Sequence, residues 1–256
     1  MSEEGATLVG VVGDDSDAAR ALSAGGVRVV TGDVDAVVDA EPLVIAAVGE
    51  RALTALARRN PTVPVLPVDA GRGVRSAPPS ALPDAAERIL AGDWQIDQHP
   101  LVAVEAPDGT RTIGALDAML VTAEPAEISE YTVRSGGERV ARFRADGVVV
   151  ATPAGTAGYA RAAGGPVAAP GMDVFVVVPV SPFATTLDHW VVPLGDLTVT
   201  VERDEAPVEA LVDDRSIGTV QSGDPIRLDP AGRLEVVRLP ESVSPFGRGN
   251  AKLEKL

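Results

Sequence analysis

The chain has 256 residues, of which 45% are hydrophobic, so it is long and apolar enough to fold around a substantial core. Its net charge of −15 argues against nucleic acid as a partner, because an acidic surface repels phosphates. Cysteine is absent, and no apolar stretch reaches the roughly 20 residues of a membrane helix, so we expect no disulfide, no thiolate metal site and no membrane partner.

The first 96 residues alternate predicted strands with predicted helices. The runs "ATLVGVVGDD", which ends in a Gly-Asp turn, "VRVVTGD", "PLVIAAVG" and "VPVLPVD" predict four strands. Helices are predicted at "SDAARALSA", at "ERALTALARR" (Glu50–Arg59, closed by Asn60-Pro61) and at "SALPDAAERILA", where Gly92 marks the end. This alternation predicts an α/β domain with a parallel sheet over residues 1–96.

The pattern changes to short predicted strands from His99 onward. The turns "APDGTR" and "RSGGER" separate predicted strands such as "HPLVAVEAP", "AEISEYTVRS", "ERVARFRA", "GVVVATP" and "DVFVVVPVSP". Strands at this spacing with few helices predict an all-β C-terminal domain, which we place at residues 97–240. The remaining residues, 241–256, are expected to form a tail that returns to the first domain.

The kind of positive charge is also informative. Lys252 and Lys255 are the only lysines, and every other cation is arginine. Strong acidity with almost no lysine is typical of a halophile's cytoplasmic protein, whose carboxylates keep the surface hydrated in concentrated salt. An ordinary acidic bacterial protein with a GC-rich coding bias is the alternative. The acidic start of the chain lacks the basic region of a signal peptide, which also favours the cytoplasm.

One stretch, "DGVVVATPAGTAGYARAAGGPVAAP", is unusually rich in glycine and alanine. Glycines such as Gly155 let a backbone approach a ligand and present N–H donors, and Thr152 and Thr156 add hydroxyls. Tyr159 offers a ring suited to stacking on a base. A helix beginning near Thr156 would direct its N-terminus toward an anion. The alternative is a strand–turn–helix corner in which small residues serve close packing.

This stretch resembles the NAD kinase motif of DG, three apolar residues, STPTGSTAY and GGP. The match is residue for residue at Asp146, Gly147, Thr152, Pro153, Gly155, Tyr159, Gly164, Gly165 and Pro166, with Thr156 at a serine or threonine position. "PVLPVDAGRG", "PVSPFATTLDHWVVP" and "LVDDRSIGTVQSGDPIRL" resemble further family motifs in the family's order. The chain is thus identified as a divergent, haloarchaeal member with the two-domain NAD kinase fold.

The resemblance implies a function and a set of binding residues. A family member transfers the terminal phosphoryl group of ATP, with Mg²⁺, to the adenosine 2′-hydroxyl of NAD and so makes NADP. Asp146, Thr152, Gly155, Thr156 and Tyr159 are then expected to hold the dinucleotide. Arg144 fits some members and is expected to assist. Family members often assemble through the β domain, so a homo-oligomer, dimer or tetramer, is expected.

The chain departs from the family at the GGDG motif. The corresponding residues are "VGER", which put Gly49 at the second glycine and Glu50 at the aspartate. We expect Glu50 to be the catalytic carboxylate, although it reaches one methylene further than an aspartate, and misplacement by about 1 Å can cost on the order of 100-fold in rate. The alternative for Glu50 is a solvated residue favoured in a helix's first turn by the dipole.

A second departure concerns the family's Asn-Glu pair, which binds the ribose and nicotinamide side of NAD. Asp117 stands for the asparagine and can accept a hydrogen bond from a ribose hydroxyl, whereas Ala118 stands for the glutamate and can accept none. Two rival hypotheses therefore stay open: a catalytically impaired dinucleotide-binding homologue acting as a sensor or partner subunit, and a different phosphotransferase on the same fold.

Other polar residues carry weaker expectations. Asp213 and Asp214 either hold Mg²⁺ or form an acidic hairpin turn, and Arg72 lies either near phosphates or in a surface turn. His99 and His189 lack metal-ligand spacing, and we expect a strand edge for one and a packed position for the other. No protein metal site is predicted.

Overall fold

The computed structural model describes residues 7–13, 16–124, 127–184, 188–204 and 206–246. The chain divides into two compact units, one formed by Met1–Gln98 with Leu234–Leu256 and the other by His99–Arg233. The first unit is α/β and the second is dominated by β-strands, as the sequence predicted for the fold class. No helix among the described residues is long and apolar enough to cross a membrane.

The first unit is built on a parallel sheet. Its elements in chain order are β1 Leu8–Val12, α1 Ser16–Ala24, β2 Arg28–Thr31, α2 Val34–Asp39, β3 Val44–Val48, α3 Glu50–Arg59, β4 Val65–Val68 and α4 Leu82–Ala91. The strand order is β2-β1-β3-β4. The buried core joins apolar residues of β1, β3 and β4 to those of α1 and α4.

Local sequence explains the limits of the helices. α3 begins after Gly49 and ends at Asn60, whose left-handed backbone closes the last turn with a bond from its N–H to the carbonyl of Ala57 (2.9 Å). α4 ends at Gly92 in the same way. The sequence pattern did not reveal α2, where the side chain of Asp33 accepts a hydrogen bond from the amide of Ala36 (2.8 Å) and caps the helix.

The second unit is an antiparallel β structure. Its elements are β5 Gln95–Glu105, which begins in the first unit, β6 Arg111–Gly114, β7 Asp117–Thr122, β8 Ser129–Ser135, β9 Glu138–Ala151, α5 Tyr159–Ala162, β10 Val174–Pro182, β11 Trp190–Pro193, β12 Leu197–Arg203, β13 Val208–Val212, β14 Arg215–Val220 and β15 Pro225–Arg238. The strand order runs β14-β13-β7-β9-β8-β12-β15, with β10 beside β9 and β11. Its core includes the fully buried Tyr131 and Phe175.

The strand β9 is longer than the sequence suggested. "ERVARFRA" and "GVVVATP" were expected as two strands, yet they form one. Gly147 pairs with Val121 of β7 on one edge and with Val180 of β10 on the other. Because both edges are paired there, the Asp146-Gly147 dipeptide lies within a strand and not in a turn.

The sequence predicted a helix from Thr156 onward, and the structure does not contain it. Residues Gly155–Ala157 form a single 3₁₀ turn, and α5 covers only Tyr159–Ala162. Gly158 interrupts the two because its backbone angles, φ −93° and ψ −123°, lie outside the helical region. A four-residue helix supplies no appreciable dipole, so the predicted anion-attracting N-terminus is absent from this stretch.

Candidate functional site

The first unit places its candidate residues at the carboxyl edge of the parallel sheet. Since β2 lies on one side of β1 and β3 on the other, the order of strands reverses between β1 and β3. Ligands of open α/β sheets bind outside the carboxyl ends of the strands at such a point. Gly13 follows β1, Gly49 follows β3 and Asp69 follows β4. At Gly13 an added methyl group would lie 2.5 Å from the carbonyl oxygen of Val48, so this glycine allows close packing against the end of β3.

Gly49 forms the turn from β3 into α3. Its φ of 84° and ψ of 161° belong to a region that is essentially restricted to glycine, and its amide donates to the carbonyl of Val68 (2.9 Å). No atom lies within 4 Å of the position that a side chain would occupy. Gly49 is therefore needed for the turn, and its Cα faces open space.

Glu50 is the first residue of α3, and its side chain is exposed. The carboxylate lies against Gly71, in the loop that follows β4. A Cβ at Gly71 would overlap Oε2 of Glu50 and would lie 3.0 Å from its Cδ. The structure therefore brings together two features that the sequence offered separately, the candidate carboxylate and the "DAGRG" loop.

The loop after β4 is itself held in place. The amide of Ala70 donates to the hydroxyl of the fully buried Ser76 (2.9 Å), and the amide of Asp69 donates to the carbonyl of Ala77 (3.0 Å). Arg72 is exposed beyond this anchored part. This fixed loop carries an exposed guanidinium and lies against an exposed carboxylate at Gly71, and these are groups that can bind a phosphate and accept a proton.

In the second unit, the glycine-rich loop folds closely onto the segment just before β7. A Cβ at Gly155 would lie 2.4 Å from the carbonyl carbon of Leu116 and would overlap its oxygen. The amide of Thr152 donates to the same carbonyl (2.9 Å). Because Gly155 has no side chain, the loop can pack directly against the protein's own backbone at Leu116.

The two threonines of the loop are fully buried and bonded within the chain. The hydroxyl of Thr152 donates to the carbonyl of Ala115 (2.6 Å). The hydroxyl of Thr156 donates to the carbonyl of Pro153 (2.6 Å) and accepts from the amide of Ala168 (3.1 Å). Both hydroxyls therefore shape the loop, and both side chains are buried away from its surface. The side chain of Tyr159, in contrast, is 64% exposed.

Asp117 lies at the start of β7 and is 7% exposed. The carboxylate of Asp213, in the turn between β13 and β14, accepts hydrogen bonds from three successive amides at Ala115, Leu116 and Asp117 (3.0, 2.8 and 3.2 Å). Asp213 thus binds backbone N–H groups, which fits the hairpin-turn interpretation and not the Mg²⁺ interpretation. Ala118 points into the apolar core, so nothing polar replaces the family's glutamate there.

Asp146 and Arg144 lie on β9, on the same face of the strand. Asp146 is half-buried, and its carbonyl accepts a hydrogen bond from the hydroxyl of Thr122 (3.1 Å). Burial raises the pKa of the Tyr131 phenol to about 12, and the negative charge of Asp146 adds to this rise. Arg144 is exposed, with its guanidinium 5.8 Å from the ring centre of Phe183, itself 71% exposed. Asp146 and Arg144 therefore both lie at the surface of the second unit.

The histidines and the acidic residues do not form a metal-binding arrangement. Within the part of the chain that the structure describes, no three such side chains converge on one point. His99, expected at a strand edge, is buried, and His189, expected to be packed, is exposed. A Mg²⁺ ion that arrives bound to nucleotide phosphates needs only one or two protein carboxylates, so Glu50 is compatible with such an ion.

Comparison with known proteins gives a family for the second unit. Residues 117–233 match the family model of the ATP-NAD kinase C-terminal domain. An NAD kinase of Gemmatimonas aurantiaca is 31% identical over 189 residues, which cover 70% of this chain and 65% of that protein. An NAD kinase of Methanosarcina barkeri is 37% identical over 121 residues, which cover 47% of this chain and 42% of that protein. The chain therefore spans less than two thirds of the length of either relative.

Two solved structures share the fold over nearly the whole chain. Yeast NADH kinase complexed with NADH superposes with a TM-score of 0.79 at 14% identity and covers 99% of this chain and 89% of its own. An NAD kinase of Archaeoglobus fulgidus in complex with ATP superposes with a TM-score of 0.75 at 21% identity, and the match covers 98% of this chain and 99% of that one. The chain is therefore similar to NAD kinases in the sequence of its second unit and shares their fold.

Proposed function

We propose that the protein phosphorylates NAD at the adenosine 2′-hydroxyl with ATP as donor, giving NADP and ADP. The observation that carries the proposal is the exposed carboxylate of Glu50, which lies against Gly71 beside the open face of Gly49. A carboxylate on a fixed turn, with free space next to it, is suited to receive a hydroxyl proton. The relatives named NAD kinase, and the neighbours complexed with NADH and with ATP, support these substrates.

The proposed reaction needs few covalent steps from the protein. The 2′-hydroxyl oxygen forms a bond to the γ-phosphorus of ATP, the bond from that phosphorus to the bridging oxygen breaks, and ADP leaves. Glu50 takes the hydroxyl proton, and Arg72 orients the phosphates. Mg²⁺ bound to ATP would neutralise phosphate charge. Catalysis of this kind consists mostly of positioning and charge stabilisation.

The second unit supplies the proposed dinucleotide contacts. Asp117 accepts from a ribose hydroxyl, Asp146 accepts a further hydrogen bond from the dinucleotide, and the exposed ring of Tyr159 stacks on a base. Arg144 balances negative charge. Thr152, Gly155 and Thr156 act indirectly, by holding the loop that carries Tyr159 in shape.

The test is NADP formation by the purified protein with NAD, ATP and Mg²⁺ in molar KCl. Glu50→Gln keeps the side chain's size and removes its basicity, so turnover should fall at least 100-fold while NAD binding, measured by calorimetry, stays within about twofold. Glu50→Asp keeps the carboxylate but shortens the side chain by one methylene, so its turnover tests the length of the side chain separately from its basicity. Glu87→Gln, on the exposed face of α4, is the matched control and should leave turnover unchanged.

The outcomes separate the rival hypotheses. Turnover that survives Glu50→Gln would remove Glu50 from the mechanism. NAD binding by the wild type without any turnover would make the protein a dinucleotide-binding sensor or partner subunit. Neither binding nor turnover would overturn both and direct attention to another phosphate-bearing substrate.

We propose further that the protein works as a homo-oligomer in the cytoplasm of a halophile. The net charge of −15 and the near absence of lysine support adaptation to concentrated salt. Unfolding temperature should rise steeply between 0.1 and 3 M KCl, and sedimentation in 3 M KCl should give a dimer or tetramer. A salt-independent monomer would contradict both statements.

A further inference from the structure

We propose that Asp213 is a positioning residue of the dinucleotide site. Its carboxylate fixes the backbone segment Ala115–Asp117, and through this segment it sets Asp117 and the loop that carries Tyr159 relative to each other. The inference rests on the proposed function, because it assigns a purpose to the geometry of the same site.

The contact between Asp213 and the segment is extensive. Oδ1 accepts from the amides of Leu116 (2.8 Å) and Asp117 (3.2 Å), and Oδ2 accepts from the amide of Ala115 (3.0 Å). The amide of Asp213 donates in return to the carbonyl of Asp117 (2.9 Å). Four hydrogen bonds thus join one turn residue to three consecutive residues almost a hundred positions away in the chain.

The same segment is held from its other side by the glycine-rich loop. The hydroxyl of Thr152 donates to the carbonyls of Ala115 (2.6 Å) and Leu116 (3.0 Å). Gly155 packs against the Leu116 peptide so closely that a methyl group would not fit. The three amides of the segment and the carbonyl of Asp117 therefore bond to Asp213, whereas the carbonyls of Ala115 and Leu116 bond to the loop.

This arrangement makes the two proposed contact groups dependent on one short piece of backbone. Asp117 is part of the segment, and Tyr159 follows four residues after Gly155, which rests on it. If the segment shifts, Asp117 moves with it and the loop loses its support. A shift of about 1 Å at a binding group is enough to change affinity and rate substantially.

A carboxylate is the group that this role requires. A charged oxygen pair accepts from three amides at once, and hydrogen bonds to an ionised acceptor are roughly twice as strong as those between neutral groups. An asparagine keeps one acceptor oxygen and directs an NH₂ donor at the remaining amide. The backbone of Asp213 has φ of 52°, a left-handed conformation that asparagine also tolerates, so Asp213→Asn tests the carboxylate without adding strain.

The experiment compares Asp213→Asn with Asp108→Asn. Asp108 also caps a turn of the second unit, where its carboxylate accepts from the amide of Thr110 (2.8 Å), so both variants lose a turn-capping charge. We expect the Kd and the KM for NAD to rise about tenfold in Asp213→Asn only, with the KM for ATP unchanged. Hydrogen exchange at the amides of Ala115, Leu116 and Asp117 should speed up in the same variant.

Three results would be decisive. Equal effects of Asp213→Asn and Asp108→Asn on NAD affinity would overturn the positioning role and leave only a general effect on stability. Unchanged exchange of the three amides in Asp213→Asn would overturn the contact itself. Failure of the wild type to bind NAD in the same titration would overturn the proposed function and the dinucleotide part of the inference together, while the exchange data would still decide the structural part.

Discussion

The turns at Gly49 and at Gly155 use glycine in opposite ways. At Gly49 the turn is open, because no atom lies within 4 Å of the place where a side chain would be and the next residue presents an exposed carboxylate. At Gly155 the turn is closed, because the backbone of Leu116 occupies that place. From the sequence alone, both turns would be described as loops whose backbone approaches a ligand. Only the turn at Gly49 leaves space for a ligand next to the glycine.

This difference separates residues that meet a ligand from residues that hold a loop in shape. Thr152 and Thr156 hydrogen bond to the chain itself, whereas Glu50 and Tyr159 are exposed. A motif that matches residue for residue therefore indicates the architecture of the loop with more certainty than it indicates ligand contacts. The following variants test this comparison.

The largest effect is expected for Gly155→Ala. The added methyl group would overlap buried backbone that cannot move independently, so the free energy of unfolding should fall by about 2–3 kcal/mol. Urea unfolding measures the loss. Gly195→Ala is the control, since nothing lies within 4 Å of its side-chain position, and it should change stability by no more than about 0.5 kcal/mol. Similar values for the two variants would mean that the turn at Gly155 is not closed.

Thr152→Val should have the next largest effect. Valine keeps the shape but removes the donor that serves the carbonyls of Ala115 and Leu116, and a lost buried hydrogen bond costs about 1–2 kcal/mol. Thr152→Ser keeps the donor and should recover most of the stability. If Val and Ser variants unfold at the same denaturant concentration, the hydroxyl does not support the loop.

Gly71→Ala tests the open turn of the first unit. The φ of 81° makes alanine unfavourable by about 1 kcal/mol, and the methyl group would displace the flexible carboxylate of Glu50. Gly92→Ala has the same kind of backbone strain, with φ of 69°, but nothing within 4 Å. The two variants should lose similar stability, and only Gly71→Ala should lose NADP formation. Equal turnover would show that the position of Glu50 is unimportant.

The smallest effect is expected from a pair remote from both turns. Arg88 of α4 hydrogen bonds to Glu241 (2.8 Å), and this bond lowers the pKa of the Glu241 carboxyl below its ordinary value of 4.5. A lowered pKa in the folded state means that the pair stabilises the protein above pH 4.5 and that this stability is lost as the pH falls through the folded-state value.

Glu241→Gln should therefore lower the unfolding temperature slightly at pH 7, and the difference from the wild type should disappear in acid. NADP formation should not change. Glu87→Gln on the same helix as Arg88 is the control for removing a carboxylate, and it should show the smaller change at pH 7. A difference that persists at a pH where the Glu241 carboxyl of the folded wild type is protonated would exclude the ion pair as its cause.

The sequence was sufficient for the fold class and for elements with strong local signals. The helix Glu50–Arg59 was predicted to the residue, because an apolar face is bounded by Gly49 and by Asn60-Pro61. Prediction from the sequence failed for β9 and for the helix expected from Thr156. β9 continues through Asp146-Gly147 because two neighbouring strands pair with it there, and the helix expected from Thr156 is cut short by the backbone of Gly158.

The candidate site was predictable to a lesser degree. The resemblance to the NAD kinase motifs indicated Gly49, Glu50 and the glycine-rich loop, but burial and hydrogen-bond partners are properties of the folded chain. The carboxylate of Asp213 reaches backbone amides 96 to 98 positions earlier, and no local pattern reports that contact. The proximity of Glu50 to Gly71 likewise depends on the parallel alignment of β3 and β4.

The route of β15 bears on how the protein is made. Residues 99–233 form the second unit from one continuous stretch, whereas the first unit combines residues from both ends of the chain, and Val236 of β15 pairs with Val65 of β4. During synthesis, which proceeds from the N-terminus at roughly 5–20 residues per second, the second unit can fold as soon as it leaves the ribosome. The parallel sheet made first must wait for its last strand, so a nascent chain stalled before residue 234 should expose that sheet edge to chaperones and proteases.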